Sequence, residues 1–383
     1  MKTGPGFTHC LAMATFGALL AGAAPAADRP RARDLGIPFP GRPGPLNAIT
    51  DVAGVEVGYT TLIDGDGKLQ VGQGPIRTGV TAILPRGRKH VSGVFGAYAV
   101  GNGNGEMTGT IWIEESGIVG TPICITNTHS VGVVRDAVID WMVRNGGTEQ
   151  LWGLPVVAET WDGDLSDANG FHVKPEHVFA ALDSARGGAL AEGNVGGGTA
   201  MICHELKCGT GTSSRVVEIA GQRYTVGVLV QANYGVRSEL RIAGVPVGKL
   251  MPIARESQDH GSIIIVIATD APLLPQQLKR LARRAALGLA RNGSYAGDGS
   301  GDLFIAFSTA NAAANQVASF DVHALANGQL NPLFLATVQS VEESIVNAMV
   351  AAETMTGVKG KTVPAIDTGE LQKILKRFDR LQR

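Results

Sequence analysis

The sequence predicts a layered domain that mixes helices and strands, of the α/β or α+β class. Three observations carry this expectation. Short β-like runs alternate with helical stretches, glycine-rich connections separate them, and only 17% of the 383 residues are charged. A chain of this length with so few charges buries a large core.

The first 26 residues have the pattern of a secretory leader: Lys2, a largely apolar run from Leu11 to Ala24, then Ala24-Pro25-Ala26 as a small-x-small cleavage site. The run is too short to span a bilayer, and no later segment reaches the roughly 18 uninterrupted apolar residues that a membrane helix needs. The expectation is therefore export to a periplasm or the exterior, with a mature chain starting near Ala27. Arg29 to Pro45 holds five prolines without apolar periodicity and reads as an extended arm, residues 27–45. No comparable linker or fixed repeat follows as far as Gly357, so residues 46–383 read as a single domain.

Within it, β-like runs fall at Val80 to Leu84, Pro122 to Thr126, Pro155 to Ala158, Tyr224 to Gln231, Ile263 to Ala268 and Leu303 to Ser308. The clusters GNGNGEMTG (101–109), GNVGGGTAM (193–201), GTGTSS (209–214) and GDGSGD (297–302) read as connections. Thr269-Asp270 caps a helix expected to start at Ala271-Pro272. Leu274, Leu278, Leu281, Ala285 and Leu289 then recur at helical spacing until Asn292-Gly293 stops it. A last helix is expected from Gly369 onward. If the strands on either side of the Leu274 to Leu289 helix are neighbours, the helix is a crossover and they run parallel, which puts Ser262 beside Ser300-Gly301-Asp302.

Several function classes have no support. Net charge is −1 and no basic stripe precedes the tail Lys373 to Arg383, so neither nucleic acid nor an anionic membrane is an expected partner. GNGNGE has the wrong glycine spacing for a dinucleotide turn, and Gly360-Lys361-Thr362 lacks the earlier glycine of a phosphate loop. Neither G-x-S-x-G nor HExxH occurs. No cofactor and no metal is expected. Export permits disulfides, yet the mature chain keeps only Cys124, Cys203 and Cys208, so at least one thiol stays unpaired and no disulfide framework is expected. Cys203-His204 with Cys208 lacks the second pair of a zinc site, and buried structural cysteines are the expected reading.

One seam remains. In ESQDHGSIIIVIATDAPLL (256–274) a polar loop gives way at Gly261-Ser262 to six apolar residues. A serine hydroxyl is a weak nucleophile, and one solution makes the residue a new N-terminus whose own amine, with a pKa near 7.7 to 8.0 in peptides, serves as base. Breaking the Gly261-Ser262 bond would expose that amine. Glycine there would allow strained or positive-φ backbone favouring attack of the hydroxyl on its carbonyl. Alone, the pair is also an ordinary turn before a strand.

Longer blocks decide between these. LNAITDVAGVEVGYTTL (46–62), TNTHSVGVVRDA (126–137), PVVAETWDG (155–163), GGGTAMICHELKCGTGTSSR (196–215), VGVLVQANYG (226–235), HGSIIIVIATDAPLLPQQLKRLARR (260–284) and SGDLFIAFSTAN (300–311) stand in an order that resembles the self-processing D-stereospecific and β-peptidyl aminopeptidases. That family is related in fold to ornithine acetyltransferase. The resemblance implies an α+β fold, an αββα sandwich like that of N-terminal nucleophile hydrolases with different strand connections. It implies autocleavage into an α chain ending at Gly261 and a β chain starting at Ser262, and an assembly of αβ units, by resemblance a tetramer.

The resemblance also implies the site: Ser262 as nucleophile, Ser300 and Asp302 assisting proton transfer, Asn233 stabilising the oxyanion, and Glu159 pairing with the free amine of a short peptide, amide or ester. Read alone, Ser300 and Asp302 are a polar turn, Asn233 a loop residue, Glu159 a solvated strand end and Trp161 a core aromatic. Trp161 stands where the family commonly has tyrosine, replacing a phenol hydroxyl with an indole N–H beside the substrate site. An acyltransferase on the same scaffold and a non-catalytic peptide-binding protein are the alternatives. Serine where ornithine acetyltransferase has threonine, and the leader, argue against the first. The intact residue set argues against the second.

Overall fold

The computed structural model describes residue 1 and residues 29–89, 93–146, 151–251, 261–312 and 319–382. The leader from residue 2 and the polar loop 256–260 lie outside the described residues. In chain order the main elements are β1 (Glu56–Asp64), β2 (Ile76–Leu84), β3 (Val94–Gly103), α1 (Thr110–Ser116), β4 (Ile118–Val119), β5 (Ile123–Asn127), α2 (Val131–Gly146), β6 (Val156–Thr160) and α3 (Pro175–Asp183). There follow β7 (Ile202–Cys203), β8 (Leu206–Lys207), β9 (Thr210–Ile219), β10 (Gln222–Asn233), α4 (Val247–Leu250), β11 (Ser262–Thr269), α5 (Pro275–Arg291), β12 (Gly301–Ser308), α6 (Asn331–Val350) and α7 (Thr368–Arg377).

Two sheets stack face to face. One has the order β1-β2-β5-β6, the other β4-β3-β12-β11-β10-β9. The layer between them is apolar, joining Ile83, Ile123, Ile125 and Val156 of the first sheet to Leu229, Ile264, Val266 and Ile305 of the second. α5 and α6 cover the outer face of the six-stranded sheet, and α2 and α3 cover that of the four-stranded one. This is the αββα sandwich that the resemblance implied.

The run Ile263 to Ala268 is apolar without alternation because both of its faces are buried. Ile263, Ile265 and Ile267 pack toward α5 and α6, whereas Ile264, Val266 and Ala268 pack toward the other sheet. β11 and β12 pair in parallel across the α5 crossover, as the order of elements predicted. α5 itself begins at Pro275, not Ala271: Thr269 closes β11, its hydroxyl accepts from the Ala271 N–H, and the Leu274 N–H is capped by Gln277. The helix ends as expected, with Gly293 at φ 104°.

β1, β3 and β9 are strands that the pattern did not announce. GTGTSS lies inside β9 rather than forming a connection, and the reason is packing. A Cβ on Gly211 would fall on the backbone of Ser344 and within 2.8 Å of Ala348 in α6, while the Ser213 hydroxyl donates to Ser340 O at 2.7 Å. Small residues let α6 lie directly on the sheet. The proline-rich segment 29–45 is docked, with Ala32, Ile37 and Phe39 buried and Arg31 and Arg33 paired to Glu192 and Glu343 at 2.7 Å.

Candidate active site

Three strands converge on Ser262. In register, β10 sets Asn233 opposite it on one side and β12 sets Gly301 opposite it on the other. Ser262 shares the alternation of Ile264 and Val266, so its side chain is on the face toward the four-stranded sheet. The Gly301 N–H donates to Ser262 Oγ at 3.1 Å. Ser262 is 7% exposed and Asn233 9%, so both side chains are nearly buried at the head of a buried strand.

Packing at the seam calls for glycine at position 261. A Cβ would coincide with the carbonyl oxygen of Asn233 and press on Cα of Tyr234. The seam is thus held against the end of β10 from the peptide bond onward, closer than any side chain allows.

Ser300 and Asp302 come to the same sheet edge but on the other face. Asp302 pairs with Ile263, and a Cβ on Gly101 would lie 3.1 Å from both Asp302 Cβ and Phe304 Cζ, Phe304 being on the α5 and α6 side. Ser300 Oγ lies 3.0 Å from Asp302 Oδ2 and 2.8 Å from Gly297 O, so its single proton reaches either acceptor. Both residues are essentially buried. The expected juxtaposition with Ser262 holds at the backbone, with this pair behind the strand and the hydroxyl in front.

Asn233 is fixed at both ends of its amide. Oδ1 accepts from the Ile202 N–H at 2.8 Å, and Nδ2 donates to Trp161 O at 3.0 Å, leaving a second Nδ2 hydrogen. Glu159, at the end of β6, is 3% exposed, not the solvated strand end that it resembles when read alone. Its Oε1 accepts from the Glu106 N–H at 3.0 Å and its Oε2 from the Thr128 hydroxyl. The position of a Cβ on Gly105 is 3.1 Å from Glu159 Oε1 and 3.2 Å from Gly301 Cα, so the glycine loop after β3 runs between the carboxylate and the start of β12. Burial pushes the Glu159 carboxyl above the usual range, and those two donors offset part of the rise. An incoming ammonium would restore the charged form.

Trp161 is 39% exposed and so not a core aromatic. Its ring meets His129 edge-on at 5.3 Å, and His129 stacks on the exposed Phe171 at 6.0 Å. Thr128, the Glu106 N–H, the Ile202 N–H and this aromatic row are parts of the site that residue-by-residue reading missed. They come from loops distant in sequence, and backbone donors leave no mark on residue type. Cys203 and Cys208 form a short-range disulfide, and Cys124 is the buried free thiol, in keeping with at least one unpaired thiol. Among the described residues, no group of three or more His, Cys, Asp or Glu side chains is arranged to hold a metal ion.

A strand-borne serine flanked by an amide donor and a backbone N–H, with a buried carboxylate on the neighbouring sheet, suits acyl transfer from substrates carrying an amine. Known proteins agree. The chain is 55% identical over 385 residues to the β-peptidyl aminopeptidase BapA of Sphingosinicella microcystinivorans, covering 95% of this chain and 96% of that one. It is 51% identical to the protein of that name from Sphingosinicella xenopeptidilytica, with 92% of each chain covered. Among solved structures, the L-aminopeptidase D-Ala-esterase/amidase of Ochrobactrum anthropi, described as a prototype serine aminopeptidase with a variant Ntn hydrolase fold, superimposes with a TM-score of 0.87. Its sequence is 50% identical, and the match covers 92% of this chain and all of that one. A Burkholderia sp. β-aminopeptidase superimposes with a TM-score of 0.82 at 47% identity over 91% of this chain and 98% of its own. Residues 47–363 match peptidase family S58, and the chain belongs to that family.

Proposed function

We propose that the protein is a self-processing serine aminopeptidase or amidase that releases N-terminal residues, L-, D- or β-amino acids, from short peptides, amides or esters. The observation that carries this reading is the register that sets Ser262 between Asn233 and Gly301 at the head of a fully buried strand.

In processing, Ser262 Oγ attacks the Gly261 carbonyl carbon. The C–N bond breaks, the Ser262 nitrogen leaves as an amine, and water hydrolyses the resulting ester to leave a Gly261 carboxylate. In turnover the same oxygen attacks the substrate carbonyl and its proton passes to the new α-amine. The second Nδ2 hydrogen of Asn233 stabilises the oxyanion. Collapse expels the leaving amine with that proton, and water regenerates Ser262 and frees the acid. Ser300 and Asp302, behind the strand, serve the α-amine rather than the hydroxyl. Glu159 selects a free substrate amine, and Trp161 with its aromatic neighbours borders the substrate's path.

We further assign cleaved αβ units to a homo-oligomer, supported by the exposed Ile111, Trp112 and Trp152, and the protein to a periplasm or the exterior, supported by the leader pattern. The test is the intact mass of denatured wild type and Ser262→Ala. The expected result is two wild-type chains, the smaller starting at Ser262, with hydrolysis of aminoacyl nitroanilides, and one inactive chain in the variant. An uncut, inactive wild type would overturn the reading.

A further inference from the structure

Asn233 is held by a hairpin that the chemistry above does not use. β7 and β8 pair Cys203 with Leu206, and the two residues between them, His204 and Glu205, both stand in the left-handed region at φ 50° and 64°. A two-residue turn with this twist favours Asn or Gly, and His-Glu is strained there. The strand partner of Leu206 is one end of the disulfide. Its other end, Cys208, follows β8 immediately, so the covalent link closes the hairpin across its strained turn.

The hairpin is also laced to the end of β10. The His204 N–H donates to Tyr234 O at 2.8 Å and the Ala232 N–H to Gly209 O at 2.9 Å, while the Cys208 N–H donates to Met201 O at 3.0 Å across the base of the hairpin itself. Its first residue, Ile202, supplies the N–H that holds Asn233 Oδ1.

That N–H decides which way the Asn233 amide points. With Oδ1 on Ile202 and Nδ2 on Trp161 O, the remaining amide hydrogen has one direction. With Ile202 withdrawn, the Trp161 carbonyl is the remaining described hydrogen-bond partner that opposes a swing of the side chain. We propose that the Cys203–Cys208 disulfide is a brace that aims the Asn233 amide by holding the His204-Glu205 turn closed. Both sulfur-bearing residues are fully buried, so the link is a standing part of the site and not a switch thrown by external thiols. The cysteines are positioning residues. The inference rests on the proposed role of Asn233 as oxyanion donor.

The test uses the processed wild type, a Cys203→Ala/Cys208→Ala variant, and that variant with Glu205→Gly, which relieves the turn without restoring the link. Thiol titration of denatured wild type, with and without dithiol reductant, should reveal two additional thiols on reduction. With a chromogenic aminoacyl nitroanilide, the double variant should lose kcat by about tenfold, less than deletion of an oxyanion donor, with KM within twofold. Glu205→Gly should recover most of the loss.

A structural role alone would lower the yield of folded enzyme without this split or this rescue. The inference fails if no thiols appear on reduction, if kcat of the double variant stays within twofold, if KM carries the loss, or if the glycine recovers nothing. An inactive, uncut wild type instead defeats the functional reading beneath it, and the brace with it.

Discussion

Asp162, one residue beyond Trp161, is 1% exposed, and burial pushes its carboxyl from the ordinary 3.8 up to about 7. Asp167 and Glu159 add to the rise, and the Thr78 hydroxyl offsets part of it. The difference is about 3 pH units, which at ~1.4 kcal/mol per unit amounts to roughly 4 kcal/mol. The sign follows from linkage. Below about pH 4 the group is protonated in both folded and unfolded chains and contributes no penalty; as pH rises toward 7 the unfolded chain ionises first, and stability falls.

Asp162→Asn keeps the shape and stays neutral. It should therefore be more stable than its parent at pH 8 by up to about 4 kcal/mol relative to the difference at pH 4, with the gap opening between those values. Urea unfolding at several pH values, in a Ser262→Ala background so that one uncut chain is measured, reads it directly. A difference that stays constant with pH, or one that favours aspartate as pH rises, would refute the argument.

Two further predictions concern the seam and the amine site. Gly261→Ala places a methyl on the Asn233 carbonyl, so it should slow the appearance of the Ser262 chain at least tenfold when precursor and product are followed by mass; unchanged maturation would mean that the close approach is not required. Glu159→Gln should lower kcat/KM for free-amine substrates by about 10²-fold, as expected when one partner of a buried charge pair is removed, and narrow their advantage over N-acylated ones. An equal loss on both substrate types would remove amine recognition from Glu159.

How far the sequence carries the fold can be judged at particular residues. The β11, α5 and β12 unit was legible because its signals are local: an apolar run, a helical repeat and an Asn-Gly stop. β9 was not, since Gly211 and Ser213 are small on account of α6, more than a hundred residues further on, and local pattern turns that into a loop. The same holds at the site. Ser262 and Ser300-Asp302 were placed together by the parallel crossover alone, but the front-and-back division between them needs the pleat. The partners of Glu159 and Asn233 include backbone N–H groups of Glu106 and Ile202, which no residue type announces.

The close approach at Gly261 also bears on why one serine can serve two reactions. In the continuous chain the Gly261 carbonyl is attached to Ser262, and the Gly261 Cα lies against the end of β10 at Asn233 and Tyr234. The substrate carbonyl must later come within reach of the same oxygen and the same amide. The Gly301 N–H and the strand register that hold Ser262 are main-chain features of β11 and β12 and do not depend on the bond that is cut. On the proposed mechanism, processing at Gly261-Ser262 creates the amine without rebuilding this donor set. On that mechanism the first substrate of the site is its own peptide bond, and the close approach that glycine permits at position 261 holds that bond at the end of β10.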